Sequence, residues 1–351
     1  MKFKLTFIVS LIWVFISLFL IASCRDEIIH KETEIRTDVL IIYTTDPFIL
    51  SGLGAIVIEE FESRYECTVI LRTFSESGLL INHLQADIDT LQADLAIGIL
   101  SPHIHRALRT NLFIPNEPEL VRNISNRSFL IDSRHRLIPY NYDFYAFVYD
   151  ADIVLIPPKT FGELQSSVWN DRIIMTDPRT SSIGMGAIMW SLGLFGDRGF
   201  EQFWISLRSN VVSIPTSLNE AYASFQAGVA PIILSYVSRP AYHQDIENNY
   251  RYQAFIPQEG RIKEVEYAGI LNGAVNLFLA RRFLEFMLSF DFQSHIPTTM
   301  WKFPVLDGVE MPYSLSSIQL PVNSLSENIF SNNTFFNNAW ADEWIMIMTD
   351  R

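Results

Sequence analysis

Cysteine is the scarcest chemically reactive residue in this chain, since Cys24 and Cys67 are the only two among 351 residues. Because Cys24 closes an apolar leader, only Cys67 remains in the body of the chain, where no internal disulfide can form. The seven histidines are scattered, no Cys/His set has zinc-site spacing, and no Gly-x-Ser-x-Gly segment occurs. We therefore expect no metal, no cofactor and no enzyme active site.

Basic residues are also few, with 26 Lys and Arg against 39 Asp and Glu, and the formal net charge is −13. Removing residues 1–23 would take away two lysines and no acid, which changes the net charge to −15. So acidic a chain is a poor candidate for binding nucleic acid. Its electrostatic field favours a cationic ligand, although acidity also keeps many proteins soluble.

The N-terminal leader has the order of an export signal. Two lysines precede an almost wholly apolar run at 5–21, and two small residues come directly before Cys24. This ending resembles a bacterial lipobox. An uncleaved membrane anchor is the alternative, but the run is shorter than the roughly 20 residues that a span needs. We predict a signal peptide at 1–23, a lipid on Cys24 and a tether at 24–37, which places the mature protein outside the cytoplasm on a bacterial membrane.

Strand and helix patterns alternate after the tether. We predict strands at 39–43, 68–73 and 93–98 and helices at 54–65 and 79–85. The predicted buried positions of the first helix are Ile56, Ile58, Phe61 and Tyr65. Alternation of this kind is typical of an α/β fold with a parallel sheet, in which ligands bind beyond the carboxyl ends of the strands. The loops predicted at 44–47 and 75–78 follow two such ends.

A second α/β segment spans about 159–260. It contains predicted strands at 172–176 and 231–236, and a helix at 217–228 in which Ser217 and Glu220 have capping-box spacing. A strand at 265–270 and a helix at 277–288 follow. The stretch 306–338 is mostly irregular, and a tryptophan-rich helix is predicted near 339–348.

The stretch 177–186 predicts an anion site. It joins a strand to a helix through an Asp-Pro turn, and the helix begins among Ser181, Ser182, Gly184 and Gly186. A helix start has free N–H groups and a positive dipole end, and the glycines would let an anion approach the backbone. The alternative is that a serine only caps the helix.

Three blocks of sequence carry a resemblance to a known family. They are 177–186, then 234–243 with Leu234-Ser235-Tyr236 and Pro240-Ala241-Tyr242-His243, then 283–305 with Ile296-Pro297-Thr298 and Trp301-x-x-Pro304-Val305. Together with Ala146-Phe147-Val148-Tyr149-Asp150, they resemble the periplasmic thiamine-binding proteins of bacterial thiamine ABC importers. The resemblance runs from about 39 to 305.

The resemblance implies an α/β, two-lobed periplasmic solute-binding protein fold of type II-like form, with the ligand in the interlobe cleft. Such proteins close by hinge motion around the ligand. Crossing strands are expected at 143–149 and 264–270, lobe 1 at 38–142 and 270–351, and lobe 2 at 143–269. The implied partners are an ABC permease and its ATPase, and we expect a monomer.

The resemblance also implies site residues. Phosphate-contacting hydroxyls fall on Ser181 and Ser182, and ring-contacting aromatics fall on Tyr236, Tyr242 and Trp301. Thiamine carries a cationic thiazolium and a flat pyrimidine, and aromatic faces attract a cation by roughly 0.5–2 kcal/mol each. The expected ligand is thus thiamine or a thiamine phosphate. Packing in the core is the alternative for each aromatic alone.

The chain departs from the family at two aromatic contacts. Thr45 stands where the family has a ring-stacking tyrosine, and Leu218 stands where it has a tryptophan. The choice among thiamine, its monophosphate and its diphosphate therefore stays open. Three acids, Asp46, Glu76 and Glu266, are further candidates as counter-charges to the cation. Gly78 is a further candidate contact residue. The alternative for these acids is an ordinary solvated position.

Two other functions are alternatives to thiamine transport. A receptor of the same fold for ferric iron, or for another small cation or anion, would need converging ligands such as Tyr236 and Tyr242. A secreted lipoprotein enzyme would need a nucleophile and a base, and no such set is evident in the sequence.

Overall fold

The described part of the chain comprises residues 38–86, 90–325 and 338–350 of a computed structural model. The predicted signal peptide, Cys24 and the tether lie outside the described residues, and so does 326–337 of the predicted irregular stretch. Within the described ranges, we find no helix with both the length and the apolar character needed to cross a membrane.

The strands and helices alternate as the sequence predicted. The strands are β1 (Val39–Thr45), β2 (Thr68–Phe74), β3 (Leu95–Leu100), β4 (Ile138–Asp150), β5 (Ile173–Ile174), β6 (Val211–Ser213), β7 (Ile232–Tyr236), β8 (Tyr252–Phe255), β9 (Lys263–Ile270) and β10 (Phe303–Pro304). The helices are α1 (Asp46–Leu50), α2 (Leu53–Tyr65), α3 (Ser77–Ala86), α4 (Ile104–Arg109), α5 (Phe161–Leu164), α6 (Ser182–Leu207), α7 (Leu218–Gln226), α8 (Arg239–Glu247), α9 (Leu277–Met287), α10 (Phe290–Thr299), α11 (Tyr313–Ser316) and α12 (Asn338–Thr349).

The loop predicted at 44–47 is regular structure instead. Thr44 and Thr45 extend β1, and Asp46 begins the short helix α1. Pro47 stands in the first turn of that helix, where its missing N–H costs no hydrogen bond and its fixed φ suits the helix. The Asp-Pro pair therefore begins a helix directly after the strand.

The sheet is mixed rather than parallel. Its strand order is β2-β1-β3-β9-β4-β7-β5-β6, with β8 and β10 also paired to β4. Pairing is parallel within β2-β1-β3 and within β7-β5-β6, but β9 runs antiparallel to β3 and β4, and β4 runs antiparallel to β7. The long strand β4 joins both halves, because 138–144 pairs with β9 and 145–149 pairs with β7.

Buried apolar side chains form two main clusters. The first surrounds β1, β3, α2 and α9 and includes Ile42, Phe61 and Phe283. The second surrounds β7, α6 and α12 and includes Trp190 and Trp344. We call the elements around these clusters the first lobe and the second lobe. Strand β4 contributes side chains to both clusters, whereas the apolar side chains of β9 belong to the first. Strand β9 pairs with β4 and begins directly after Ile262 of the second cluster.

Two expectations about packing are wrong. In α2 the buried stripe is Leu53, Val57 and Phe61, spaced four residues apart, whereas Ile56 is 37% exposed. The C-terminal helix α12, which the sequence suggested would join lobe 1, belongs to the second cluster. Its Trp344 ring meets Trp204 of α6 at 5.4 Å between centroids, so aromatic packing on α6 decides its place.

Candidate ligand-binding site

The stretch 177–186 forms the predicted turn and the start of the predicted helix, and the strand predicted at 172–176 is limited to Ile173–Ile174. The Asp177 carboxylate binds the Arg179 guanidinium at 2.6 Å in the turn, and α6 begins at Ser182. Ser181 occupies the N-cap position, but its side chain makes no capping bond. Its Oγ is buried and has no hydrogen-bond partner in the part of the chain that the structure describes. Capping is therefore not the role of the Ser181 hydroxyl.

The glycines of this stretch face the protein. A Cβ on Gly184 would lie 2.6 Å from the Thr176 carbonyl oxygen, and a Cβ on Gly186 would overlap the Tyr145 hydroxyl. The expectation that they open the backbone to an anion is therefore wrong. They allow α6 to pack closely against the end of β5 and against the Tyr145 ring.

Two side chains of the first lobe reach the start of α6. Glu76 places Oε2 3.5 Å from the Ser182 amide nitrogen, and the amide of Leu218, the first residue of α7, is close enough to lower its pKa. His103 places Nε2 3.1 Å from the Ser182 hydroxyl. Gly78 lies beside that imidazole, since a Cβ there would be 3.2 Å from Cε1. Glu76, Gly78, Ser182 and Leu218 thus come together.

Burial changes the charge of both first-lobe side chains. It raises the pKa of Glu76 to about 7, although the amides of Ser182 and Leu218 act in the opposite direction. It lowers the pKa of His103 to about 3, and the nearby Arg106 charge adds to this effect. The imidazole is therefore neutral at physiological pH, whereas the Glu76 carboxyl titrates close to physiological pH.

Glu264 on β9 is a carboxylate that two aromatic side chains share. Its Oε1 accepts a hydrogen bond from the Tyr236 hydroxyl at 2.5 Å, and its Oε2 accepts a short one from the Tyr145 hydroxyl. The two tyrosine rings are 5.9 Å apart. Burial and then the Glu264 charge raise the pKa of both phenols well above the usual value, so both hydroxyls stay protonated as donors.

Three buried acids of β4 and β9, Asp143, Glu264 and Glu266, surround one lysine. Lys302 Nζ lies 3.0 Å from Glu266 Oε2. Burial acts to lower the pKa of Lys302, but the carboxylates of Glu266 and Glu264 together raise it. Burial also raises the pKa of Glu264, and it raises that of Asp143 to about 7. When these groups are ionised, the negative charges outnumber the positive one.

The remaining predicted aromatics meet beside this group. Trp301 and Tyr242 are edge to face with centroids 5.9 Å apart, and Lys302 Nζ lies 5.4 Å from the Tyr236 ring centroid. Trp301 is 9% exposed and has a φ of 54°, which is uncommon for a bulky residue. Lys302 directly follows Trp301 in the chain and lies over the Tyr236 ring, so it links these two aromatic residues.

These contacts form two sets of side chains. The first includes Glu76, Ser182 and Leu218, and the second includes Tyr236, Trp301 and Tyr242. Neither set includes Thr45 or Asp46. The Thr45 side chain is buried at the end of β1, where a Cβ on Gly98 of β3 would lie 2.5 Å from its Oγ1. Asp46 begins α1. Glu266 is bound by Lys302 and by the Asn141 amide at 3.0 Å, so its charge already has partners.

Several residues of the candidate site were not predicted from the sequence, namely Asp143, Tyr145, Glu264, Lys302 and His103. One signal was available, because Glu264 and Glu266 alternate within an otherwise apolar strand and therefore share one face. His103 and Lys302 carried no pattern of their own. Within the described residues, no group of three or more His, Cys, Asp or Glu side chains is arranged to hold a metal ion.

Comparison with protein families points to transport. A sequence profile described as bacterial extracellular solute-binding protein matches residues 92–322. The thiamine-binding periplasmic protein of Salmonella typhimurium is 32% identical over 310 residues, which cover 87% of this chain and 92% of that protein. The protein of the same name from Escherichia coli is 31% identical over 312 residues, which cover 87% and 92%.

Comparison with solved structures agrees. A periplasmic thiamin binding protein superposes with a TM-score of 0.79 at 30% identity, covering 89% of this chain and 96% of its own. An apo ferric ion-binding protein A from Pasteurella haemolytica has a TM-score of 0.77 at 12% identity, covering 90% and 99%, and shows likeness of fold alone. These matches confirm the periplasmic solute-binding fold that the resemblance implied.

Proposed function

The chain belongs to the family of bacterial extracellular solute-binding proteins, and from this premise we propose that it binds thiamine or a thiamine phosphate outside the cytoplasm and delivers it to an ABC importer. Its proposed partners are the permease and the ATPase of that importer. Its role is binding rather than catalysis, and it acts as a monomer that does not bind nucleic acid. The names of the two relatives support this choice of ligand.

One observation carries the ligand class: buried and half-buried aromatic rings stand beside buried acids that outnumber the lysine among them. Tyr236 donates to Glu264, while Trp301 and Tyr242 pack edge to face nearby. A thiazolium ring offers both a positive charge and a flat π surface. Aromatic faces attract such a cation, and a desolvated carboxylate adds to the attraction.

We propose roles for the predicted residues on this basis. Tyr236, Tyr242 and Trp301 contact the rings, and Ser181 and Ser182 contact the polar arm of the ligand. The contacts of Glu76 and His103 with Ser182 join the two lobes, as closure around a ligand requires. We expect closure by bending of β4, which contributes side chains to both clusters, and of the strand β9 paired with it.

Calorimetric titration of the purified protein tests the proposal. We expect thiamine to bind with a Kd of about 1 μM or tighter, because the ligand is enclosed and its charge is compensated. Ferric ion under the same conditions is the comparison and should not bind. Failure of thiamine and both its phosphates to bind a folded protein would contradict the assignment.

The ferric-iron alternative is disfavoured by the state of Tyr236. A tyrosine binds ferric iron as a phenolate, whereas the Tyr236 hydroxyl donates to Glu264 and burial raises its pKa well above the usual value. Removing its proton would set a second negative charge beside the Glu264 carboxylate. Tight ferric binding in the titration would overturn this reasoning.

Lipid attachment at Cys24 is part of the proposal and rests on the sequence at 21–24. Cells labelled with a fatty-acid probe should incorporate the label into the wild-type protein but not into Cys24→Ala. Cys67→Ala serves as the matched control, since it removes the other cysteine and should keep the label. Equal labelling of wild type and Cys24→Ala would refute the attachment site.

A further inference from the structure

Glu76 lies beside the starts of two helices in the opposite lobe. It precedes α3, whose Leu80, Ile81 and Leu84 are buried in the first cluster. Its carboxyl group accepts from the amide of Ser182, which begins α6, and the amide of Leu218, which begins α7, acts to lower its pKa. Helix starts stabilise anions through free N–H groups and the positive end of the dipole. The protein thus supplies its own anion where the sequence predicted the phosphate of a ligand.

Among the described residues, a hydroxyl and two cations that could bind a phosphate already have partners. The Ser182 hydroxyl is engaged by His103, and the low pKa of His103 keeps that imidazole uncharged. Arg179 and Lys302 are held by the carboxylates of Asp177 and Glu266. A phosphate arriving here would therefore meet a carboxyl group before it met a cation.

The Ser181 hydroxyl is available to an uncharged ligand group. Ser181 is 1% exposed, and its Oγ has no hydrogen-bond partner in the described structure. Buried hydroxyls generally have a partner. An alcohol on the ligand could donate to the Glu76 carboxylate and accept from the Ser181 hydroxyl, which would satisfy both atoms.

We propose that Glu76 is a specificity-determining residue that makes this site select the free alcohol form of its aromatic cation over the phosphate ester. The inference rests on the proposed function and deepens it. A phosphate monoester carries about −1.5 to −2 charges near pH 7 and would be repelled by the carboxylate. The alcohol would instead gain a charge-assisted hydrogen bond. Discrimination by a repulsive element is a common way to reject a close analogue.

The pH of the measurement determines the charge of the Glu76 carboxyl group. Glu264 and Tyr236 are the titratable groups whose charges act on or respond to Glu76, and burial raises the pKa of Glu76 to about 7. Binding should therefore be measured at about pH 8, where both the carboxyl and the phosphate monoester are mostly ionised.

The experiment is calorimetry on the full-length protein with thiamine and thiamine monophosphate. The wild type should bind thiamine at least ~10-fold more tightly than the monophosphate, about 1.4 kcal/mol. In Glu76→Gln this ratio should fall by ~10-fold or more, because the repulsion is lost and the amide can donate to phosphate. Glu76→Ser is the second variant and should shift the ratio in the same direction.

Glu220→Gln is the matched control. Glu220 also carries a negative charge in the first turn of α7, but its carboxylate binds the Thr216 amide at 3.1 Å and is exposed. This variant should keep the wild-type ratio. Equal affinities in the wild type, an unchanged ratio in both Glu76 variants, or an equal shift in Glu220→Gln would overturn the inference while thiamine binding still stands. If neither compound binds the wild type, the proposed function fails with it.

Discussion

Replacement of Lys302 by methionine should lower the free energy of unfolding by about 3–5 kcal/mol, since removing one partner of a buried ionic group leaves uncompensated charge. Lys302 Nζ is bound to Glu266 at 3.0 Å, and its positive charge also acts on Glu264 and Asp143. Its side chain is 14% exposed and that of Glu266 is 3% exposed, so water can replace little of the lost interaction. Chemical denaturation of wild type and variant measures the difference.

The loss should depend on pH. A carboxyl whose pKa is higher in the folded than in the unfolded protein stabilises the folded state at low pH, and this contribution is lost as the pH rises through the folded pKa. The pKa of Asp143 rises from about 4 in the unfolded protein to about 7 in the folded protein. Without Lys302 the pKa of Asp143 should rise further, so the variant should lose more stability at pH 8 than at pH 5.

Two further variants separate this effect from a general change of charge. Lys159→Met removes a lysine from an exposed position and should change stability by less than about 0.5 kcal/mol. Lys302→Met combined with Glu266→Gln removes both members of the pair and should recover part of the loss. An equal and pH-independent loss in Lys302→Met and Lys159→Met would show that the buried acids do not depend on Lys302.

Trp301→Ala should weaken thiamine binding by about 1–3 kcal/mol, the contribution of an aromatic face to a cationic ring together with its buried area. Trp301 also belongs to the second hydrophobic cluster, so the same change should lower stability. Trp301→Leu keeps much of the apolar volume but has no π face. It should bind thiamine nearly as weakly as the alanine variant while remaining more stable.

Trp344→Leu provides the control for packing alone. Trp344 is 1% exposed in the same cluster and meets Trp204 at 5.4 Å. We expect its replacement to lower the melting temperature without changing the thiamine Kd at a temperature where the protein is folded. Affinity that follows stability across all three variants would instead assign Trp301 a packing role.

Local sequence determined most of the elements of this fold. The runs at 68–73 and 231–236 form β2 and β7 with shifts of one residue, because β-branched side chains favour extended backbone. The capping box before α7 formed as predicted, with Ser217 accepting from the Glu220 amide. These features depend on residues close together in the chain, so a pattern of neighbours is enough to predict them.

Tertiary packing decided which face of helix α2 is buried and which element α12 packs against. Ile56 is as apolar as Val57, but the face of α2 that meets α9 is the one with Leu53 and Phe61. Likewise, the tryptophans of α12 predicted a buried face without indicating its partner, which is α6. Periodicity shows that a helix has an apolar face, whereas the partner depends on how distant segments meet.

The aromatic residues of the candidate site were predicted from family resemblance, but the charges around them came from tertiary structure. Glu76 and Ser182 are 106 residues apart in sequence, and Tyr145 and Glu264 are 119 apart. Burial at these meetings raises the pKa of acids that a sequence presents as ordinary loop or strand residues. The sequence by itself therefore determined the elements and the fold class. Only the tertiary structure decided that a carboxyl group of the first lobe lies on the helix starts of the second, because charge and desolvation depend on which distant groups are brought together.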